Sequence, residues 1–136
     1  MVRSEIVYEG GLRTRCTHEP SGNEIQTDAP VDNHGRGESF SPTDLLATSL
    51  GTCMLTVMGI VAERHDWSLV GARVTVEKHM ATRPVRRVGR LVVNLALPSG
   101  FDAEARKLLE NAAQTCPVKR SLHPDVEAEI HFDWAD

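Results

Sequence analysis

Residues 41–67, SPTDLLATSLGTCMLTVMGIVAERHDW, decide the fold of this chain. Ser41 can cap a helix, Pro42 suits the first helical position, and Asp44 completes a capping box three residues after the cap. No residue from position 45 to 62 is charged, so the stretch predicts a long helix that is apolar on nearly every face. We expect this helix to lie centrally, covered by a sheet or by a second subunit. Its interspersed Thr, Ser and Gly residues argue against a membrane span.

Short strands are predicted on both sides of this helix. Turn signals and apolar alternation mark them at 4–8, 12–18, 24–27, 73–80, 88–97 and 126–134. The polar segment 28–39 is expected to be a loop long enough to cover a site, and a second helix is expected to run from 101 to about 115. The order is βββ-α-ββ-α-β, which predicts an α+β fold with six strands in a sheet around the long helix. Because so small a sheet cannot cover so apolar a helix, we expect a homodimer.

The length and charge of the chain restrict its class. At 136 residues it fits a single domain, predicted to span 1–136. Its net charge of −4 offers no general attraction for nucleic acid or for anionic lipid, so neither is an expected partner. The first residues, MVRSEIVYEGG, lack the apolar core of a signal peptide. We therefore expect a cytoplasmic protein whose thiols are kept reduced.

The long helix carries the first candidate for chemistry, Cys53. Helical spacing places it on one predicted apolar stripe with Leu46, Leu50, Val57 and Ile60. Such a cysteine is either a small core residue or a reactive thiol. A reactive thiol needs a nearby cation, and Arg13 and Arg15 on a predicted strand are candidates. The alternative for both arginines is a solvated strand face.

The other two cysteines lie outside that helix. Cys116 follows the second helix, and Pro117 can begin a short helix that has Cys116 as its N-cap, near the cations Lys119 and Arg120. The alternative is a loop cysteine without a role. Cys16 is interpreted as structural. The six histidines show no metal-ligand spacing, so no metal site is predicted.

Two segments together resemble the OsmC-like family, which includes osmotically inducible protein C and the organic hydroperoxide resistance proteins. They are GRGESFSPTDLLATSLGTCMLTVMGI at 35–60 and QTCPVKRSL at 114–122, and the opening LRTRCTHEPSGNEIQTDAP at 12–30 is similar to the family's first strands. The resemblance implies an intertwined homodimer with two central helices back to back and sites drawn from both subunits. It implies that Cys53 is the peroxidatic cysteine, that Cys116 resolves it, and that Arg13 supports the thiolate.

The chain departs from the peroxidase members at one position. They carry a glutamate ten residues before the first cysteine, where this chain has Thr43. The supporting carboxylate is then expected to be Asp44, which can instead serve only as the capping-box acid, or Glu38 in the preceding loop.

The resemblance predicts a thiol-dependent peroxidase for oxidative stress defence. Cys53 would become a sulfenic acid, Cys116 would convert it to a disulfide, and an external dithiol would reduce that disulfide. No metal or organic cofactor is implied. The apolar stripe, with Met54 and Met58, favours organic hydroperoxides over hydrogen peroxide. Two alternatives stay open: a dimeric module that binds an apolar small molecule without catalysis, and a hot-dog-like thioesterase.

Overall fold

The computed structural model describes the whole chain, residues 1–136, and confirms the α+β class. In chain order the elements are β1 (Ser4–Gly10), β2 (Arg13–His18), β3 (Glu24–Asp28), a single 3-10 turn (Val31–Asn33), α1 (Pro42–Arg64), β4 (Arg73–Ala81), β5 (Arg87–Leu97), α2 (Ala103–Ala113), α3 (Pro117–Ser121) and β6 (Glu127–Trp134). The predicted order βββ-α-ββ-α-β is therefore present, with the short helix α3 before the last strand.

The strands form two sheets rather than the single six-stranded sheet expected from the sequence. One sheet has the order β1-β2-β3 and is antiparallel throughout. The other has the order β4-β5-β6, in which β4 and β5 form an antiparallel hairpin and β6 runs parallel to β5. Parallel pairing needs a crossover between the strands, and α2 with α3 supplies it. Strand pairing across a long helix cannot be read from a periodic pattern, which is why the prediction was wrong.

The chain divides into two compact units, residues 1–46 and 47–136. The single domain expected over 1–136 stays a prediction. In the first unit, β1 and β2 are joined by a tight turn at Gly10, Gly11 and Leu12, all three of which have positive φ. One face of this sheet aligns Ile6, Cys16 and Ile25 in a cross-strand row. Ile6 and Ile25 remain 60% and 52% exposed, so the chain itself does not cover this face.

The core of the second unit forms between α1 and the β4-β5-β6 sheet. The closest approach is at Gly51, where a Cβ atom would lie 2.9 Å from Val76 Cγ2. The enclosed apolar side chains come from α1, from alternate positions of β5 and from α2: Ala47, Leu50, Met54, Met58, Ala62, Leu91, Val93, Leu95, Leu97, Leu109 and Ala113. The inward alternation along β5 is the pattern of a strand that buries one face.

The apolar stripe predicted for α1 was wrong in part. Leu50 is buried, but Leu46 and Ile60 are 39% and 47% exposed, and the buried face runs instead through Ala47, Gly51 and Met54. The small residues Ala47 and Gly51 explain the difference, since they let the helix approach the sheet closely.

The opposite side of α1 is left without cover from its own chain. The helix is long and apolar enough to cross a membrane by length and composition, but the core helix of a soluble protein passes the same test. One helix of this kind is weak support for a membrane span.

Candidate active site

The structure brings the two predicted site cysteines together in the second unit. Cys53 lies in the fourth turn of α1 and is half-buried, whereas Cys116 precedes α3 and is completely buried. Both are free thiols that pack against the same core. Cys53 lies close enough to Cys116 to raise the pKa of the Cys116 thiol. Two residues 63 positions apart in the sequence are therefore neighbours in one core.

Cys116 has the local setting that the sequence predicted. Pro117 begins α3, and the Cys116 Sγ accepts a hydrogen bond from the backbone N–H of Lys119 at 3.5 Å. This bond favours the thiolate, but burial raises the pKa of Cys116 and is the largest effect, and the nearby Cys53 raises it further. The amides of Lys119 and Val118 favour the anion, as expected at a helix start, but burial outweighs them.

Arg13 lies at the start of β2 in the first unit and is held by two carboxylates. Its Nε and Nη2 atoms donate to the two oxygens of Asp28 at 2.7 and 2.9 Å, and Nη2 also lies 3.4 Å from Glu38 Oε2. Asp28 is 1% exposed, whereas the Glu38 side chain is 65% exposed. The hydrogen bond from Arg13 lowers the pKa of Asp28, and the same bond raises the pKa of Arg13. Both groups therefore stay charged.

Asp28 is the residue that the sequence reasoning missed. It was assigned to the start of a loop, but it is the last residue of β3, directly opposite Arg13 in the strand register. The signal was available: a hairpin whose turn follows His18 and ends before Glu24 places positions 13 and 28 across from each other. Glu38, by contrast, was named in advance and lies within reach of Arg13.

Asp44 serves as the capping-box acid at the start of α1. Its Oδ2 accepts from the backbone N–H of Ser41 at 2.9 Å, and the Ser41 Oγ accepts from the backbone N–H of Asp44 at 3.0 Å. Helix α1 begins at Pro42, as predicted. Thr43, which stands where a glutamate was expected, has its hydroxyl 3.3 Å from the Ser41 hydroxyl. The carboxylates in contact with Arg13 come from β3 and from the loop after it.

The remaining candidates have other surroundings. Arg15 is paired with Glu9 at 3.9 Å on the strand surface, and the Cys16 sulfur lies 3.7 Å from the Thr14 hydroxyl. Met54 and Met58 are fully enclosed in the core, and the preference for organic hydroperoxides that they suggested stays a prediction. Their positions on α1 turn them toward the sheet. No group of three or more His, Cys, Asp or Glu side chains is arranged to hold a metal ion.

The sequence and the fold place this chain among known proteins. The family model for OsmC-like protein matches residues 35–131. One similar crystal structure comes from Psychrobacter arcticus 273-4 and is provisionally described as an osmotic stress induced and detoxification response protein. Its sequence is 46% identical to this chain, and the two folds superpose with a TM-score of 0.92. The match covers 97% of this chain and 96% of the Psychrobacter chain. No curated protein gives a significant sequence match.

More distant structures share the fold. The organic hydroperoxide resistance protein OsmC of Legionella pneumophila is 17% identical, with a TM-score of 0.77 over 98% of this chain and 96% of its own. An organic hydroperoxide resistance protein of Elizabethkingia anophelis is 16% identical, with a TM-score of 0.77 over 99% of this chain and 96% of its own. The matched region includes Cys53 and Cys116 and extends over most of the chain, which belongs to the OsmC-like protein family.

Proposed function

We propose that this protein is a thiol-dependent peroxidase that reduces organic hydroperoxides. The observation that carries the proposal is the proximity of the Cys53 and Cys116 thiols, which pack in one core and interact electrostatically. Two neighbouring thiols can be joined as a disulfide without a large rearrangement of the chain when their Cα atoms lie within about 7 Å of each other. The relatives named for hydroperoxide resistance support the same class of reaction, and the cytoplasm remains the expected location because thiols stay reduced there.

The two cysteines differ in a way that supports their roles. Cys116 is completely buried and its pKa is raised, so it is a poor first nucleophile, because the thiolate is the reactive form. Cys53 is only half-buried. A hydroperoxide can therefore reach Cys53 more readily, and Cys116 is in place to react second.

The proposed reaction has three steps. The Cys53 thiolate attacks one peroxide oxygen, the O–O bond breaks, and the alkoxide leaves as an alcohol after it gains a proton, so that Cys53 becomes a sulfenic acid. The Cys116 sulfur then displaces the hydroxyl group as water and forms the disulfide. An external dithiol reduces that disulfide by thiol–disulfide exchange and is itself oxidised. Arg13 is proposed to support the Cys53 thiolate, and no metal or organic cofactor takes part.

The proposal includes a homodimer. Apolar side chains are left exposed on α1, where Ile60 is 47% exposed, and on the first sheet, where Ile6 is 60% exposed. A second copy of the chain would cover such surfaces, as the sequence also led us to expect. Sedimentation equilibrium at micromolar concentration tests this point, and a monomer throughout that range would contradict it.

Disulfide mapping after a single dose of oxidant tests the peroxidase. The reduced protein is treated with one equivalent of cumene hydroperoxide and analysed by mass spectrometry. We expect a Cys53 to Cys116 disulfide in the native chain, none in Cys53→Ser, and a sulfenic acid on Cys53 that reacts with dimedone in Cys116→Ser. Cys16→Ser is the matched control and should form the disulfide normally.

Two other outcomes would contradict the proposal. If all three thiols persist in the native protein, the chain is a non-enzymatic module and the proximity of Cys53 to Cys116 is incidental. If hydrogen peroxide oxidises Cys53 faster than cumene hydroperoxide does, the preference for organic substrates is wrong. The second comparison matters because Met54 and Met58, which first suggested that preference, are closed inside the core.

A further inference from the structure

The outer face of the β4-β5-β6 sheet carries two rows of polar residues across its three strands. Along β5, Asn94 and Ala96 are exposed, whereas Leu95 between them is buried in the core. The strand register sets each of the two exposed residues between one residue of β4 and one of β6. All six side chains are exposed and lie on the side of the sheet away from α1, in the rows Arg73-Ala96-Asp133 and Thr75-Asn94-His131.

A cavity lies over these two rows. Ala96 has the smallest side chain of the six and stands between the longer Arg73 and Asp133, so the middle strand leaves a gap between its two neighbours. The six side chains and Leu95 line a cavity of about 290 Å³. This volume is close to the lower end of the roughly 300–1,000 Å³ of small-molecule sites. It has room for about ten water molecules at roughly 30 Å³ each, so only a small ligand fits.

The charged side chains at this cavity are unpaired, unlike those farther along the same face. There, the Glu129 carboxylate contacts Arg90 at 3.0 Å and His131 at 2.9 Å. Four polar side chains at the cavity have no hydrogen-bond or ion-pair partner within the chain: Arg73, Thr75, Asn94 and Asp133. Arg73 and Asp133 carry opposite charges but are two strands apart, about 9.5 Å at the usual strand spacing. The cavity therefore lies between a free cation and a free anion.

Such an arrangement suits a molecule that carries both charges. The guanidinium of Arg73 can bind a carboxylate through two parallel N–H bonds, and the carboxylate of Asp133 can accept N–H bonds from an ammonium group. Asn94, between the two, can donate and accept. The bond to Glu129 holds the His131 ring at the cavity wall. A ligand with a single charge would pair with one wall and leave the other unpaired.

We propose that this cavity binds a small amino acid, whose carboxylate pairs with Arg73 and whose ammonium group pairs with Asp133. The residues of the site all belong to the second unit, and neither Cys53 nor Cys116 is among them. The inference is therefore independent of the proposed peroxidase. A sheet face that is merely solvated makes the opposite prediction, because neutral residues could then replace Arg73 and Asp133 without changing the affinity for any small molecule.

Titration of the ¹⁵N-labelled reduced protein, followed by NMR at pH 7, tests the site. The probes are glycine and L-alanine, which carry both charges, and acetate and methylamine, which carry one each. We expect glycine or L-alanine to bind with a Kd of about 1 mM or lower, with shifts of the Asn94 side-chain amide and of backbone amides in the two rows. Acetate and methylamine should each bind at least about tenfold more weakly, because each leaves one charged wall unpaired.

Variants separate the two charges from the space between them. Arg73→Gln and Asp133→Asn should each raise the Kd for the amino acid at least about tenfold. Ala96→Leu keeps both charges but fills the cavity, and should abolish binding. Glu77→Gln is the matched control, because it removes a carboxylate that is 60% exposed on the same face but outside the cavity. Its Kd should stay within about twofold of native.

Three results would overturn the inference. The first is the absence of shifts with glycine and L-alanine up to about 20 mM. The second is acetate binding as tightly as the amino acids, which would make the cavity a simple anion site. The third is a native Kd in Asp133→Asn. Thermal unfolding checks that each variant is folded; if Ala96→Leu is not, Arg73→Gln and Asp133→Asn decide by the same criterion.

Discussion

Two glycines in α1 provide a matched pair for testing how closely this helix packs on its sheet. At Gly51 an added Cβ atom would meet Val76 Cγ2 at 2.9 Å and both Cγ atoms of Val74 at 3.3 Å. At Gly59 it would meet nothing within 4 Å. The first distance is shorter than real Cβ contacts, so Gly51→Ala requires the helix or the stiff valine side chains to move. Gly59→Ala requires no movement within the chain.

The difference in stability between the two variants can be estimated from these contacts. Replacing glycine by alanine inside a helix favours folding by about 1 kcal/mol at either position. Because that gain is common to both variants, the difference between their free energies of unfolding measures the overpacking at Gly51. One extra methyl group in a packed core costs about 1–3 kcal/mol. We expect Gly59→Ala to be more stable than the native protein and Gly51→Ala to be less stable than Gly59→Ala by that amount.

Urea unfolding followed by circular dichroism measures both variants beside the native chain. Two protein concentrations are needed, because a change in subunit association would make the midpoint depend on concentration. The reasoning is refuted if Gly51→Ala is as stable as Gly59→Ala at both concentrations. That result would mean that α1 does not approach β4 as closely as the contacts of Gly51 indicate.

Three other predictions concern the helix start, the buried thiol and the buried carboxylate. Ser41→Ala removes the oxygen that accepts from the Asp44 backbone N–H and should lower the free energy of unfolding by about 1 kcal/mol in urea titration; an unchanged value would mean that the cap is replaced by water. In the reduced protein at pH 8, iodoacetamide should modify Cys116 at least about tenfold more slowly than Cys16, because Cys116 is buried and its pKa is raised; equal rates by peptide mass spectrometry would contradict its burial. The pKa of Asp28 lies below the ordinary value of 3.8, so its ionised form stabilises the fold above that pH and this contribution is lost as the pH falls through the lowered pKa. Thermal unfolding should therefore show that the native protein is more stable than Asp28→Asn at pH 6. This difference in stability should disappear below pH 3.8. A difference that does not change with pH would contradict the role of the Asp28 charge.

Local signals in the sequence predicted local structure well. The start of α1 is set by a few neighbouring side chains, and the reciprocal bonds of Ser41 and Asp44 are present as expected. The N-cap role of Cys116 before α3 was predicted in the same way. In both places the interaction that decides the structure lies within four residues, where the chain has few alternatives.

Interactions between distant residues were harder to predict. Whether six strands form one sheet or two depends on which strand edges pair. The alternation of apolar and polar residues along a strand does not indicate which strand lies beside it. The buried face of α1 was misjudged because size, not hydrophobicity, selected it: Ala47 and Gly51 face the sheet while Ile60 stays exposed. Asp28 was missed because its importance arises from Arg13 across the hairpin, a contact fixed only by the strand register.

The proximity of Cys53 and Cys116 in one core has a mechanical consequence for the second unit. A covalent bond between them would close a loop around 62 intervening residues, which contain the β4–β5 hairpin and α2. Closing a loop of that length restricts the unfolded chain enough to stabilise the folded one by about 4 kcal/mol in the chain-entropy description. The oxidised protein would then resist heat and urea better than the reduced one. Its melting temperature would report the redox state of the thiols, and each round of reduction would return the unit to its less stable form.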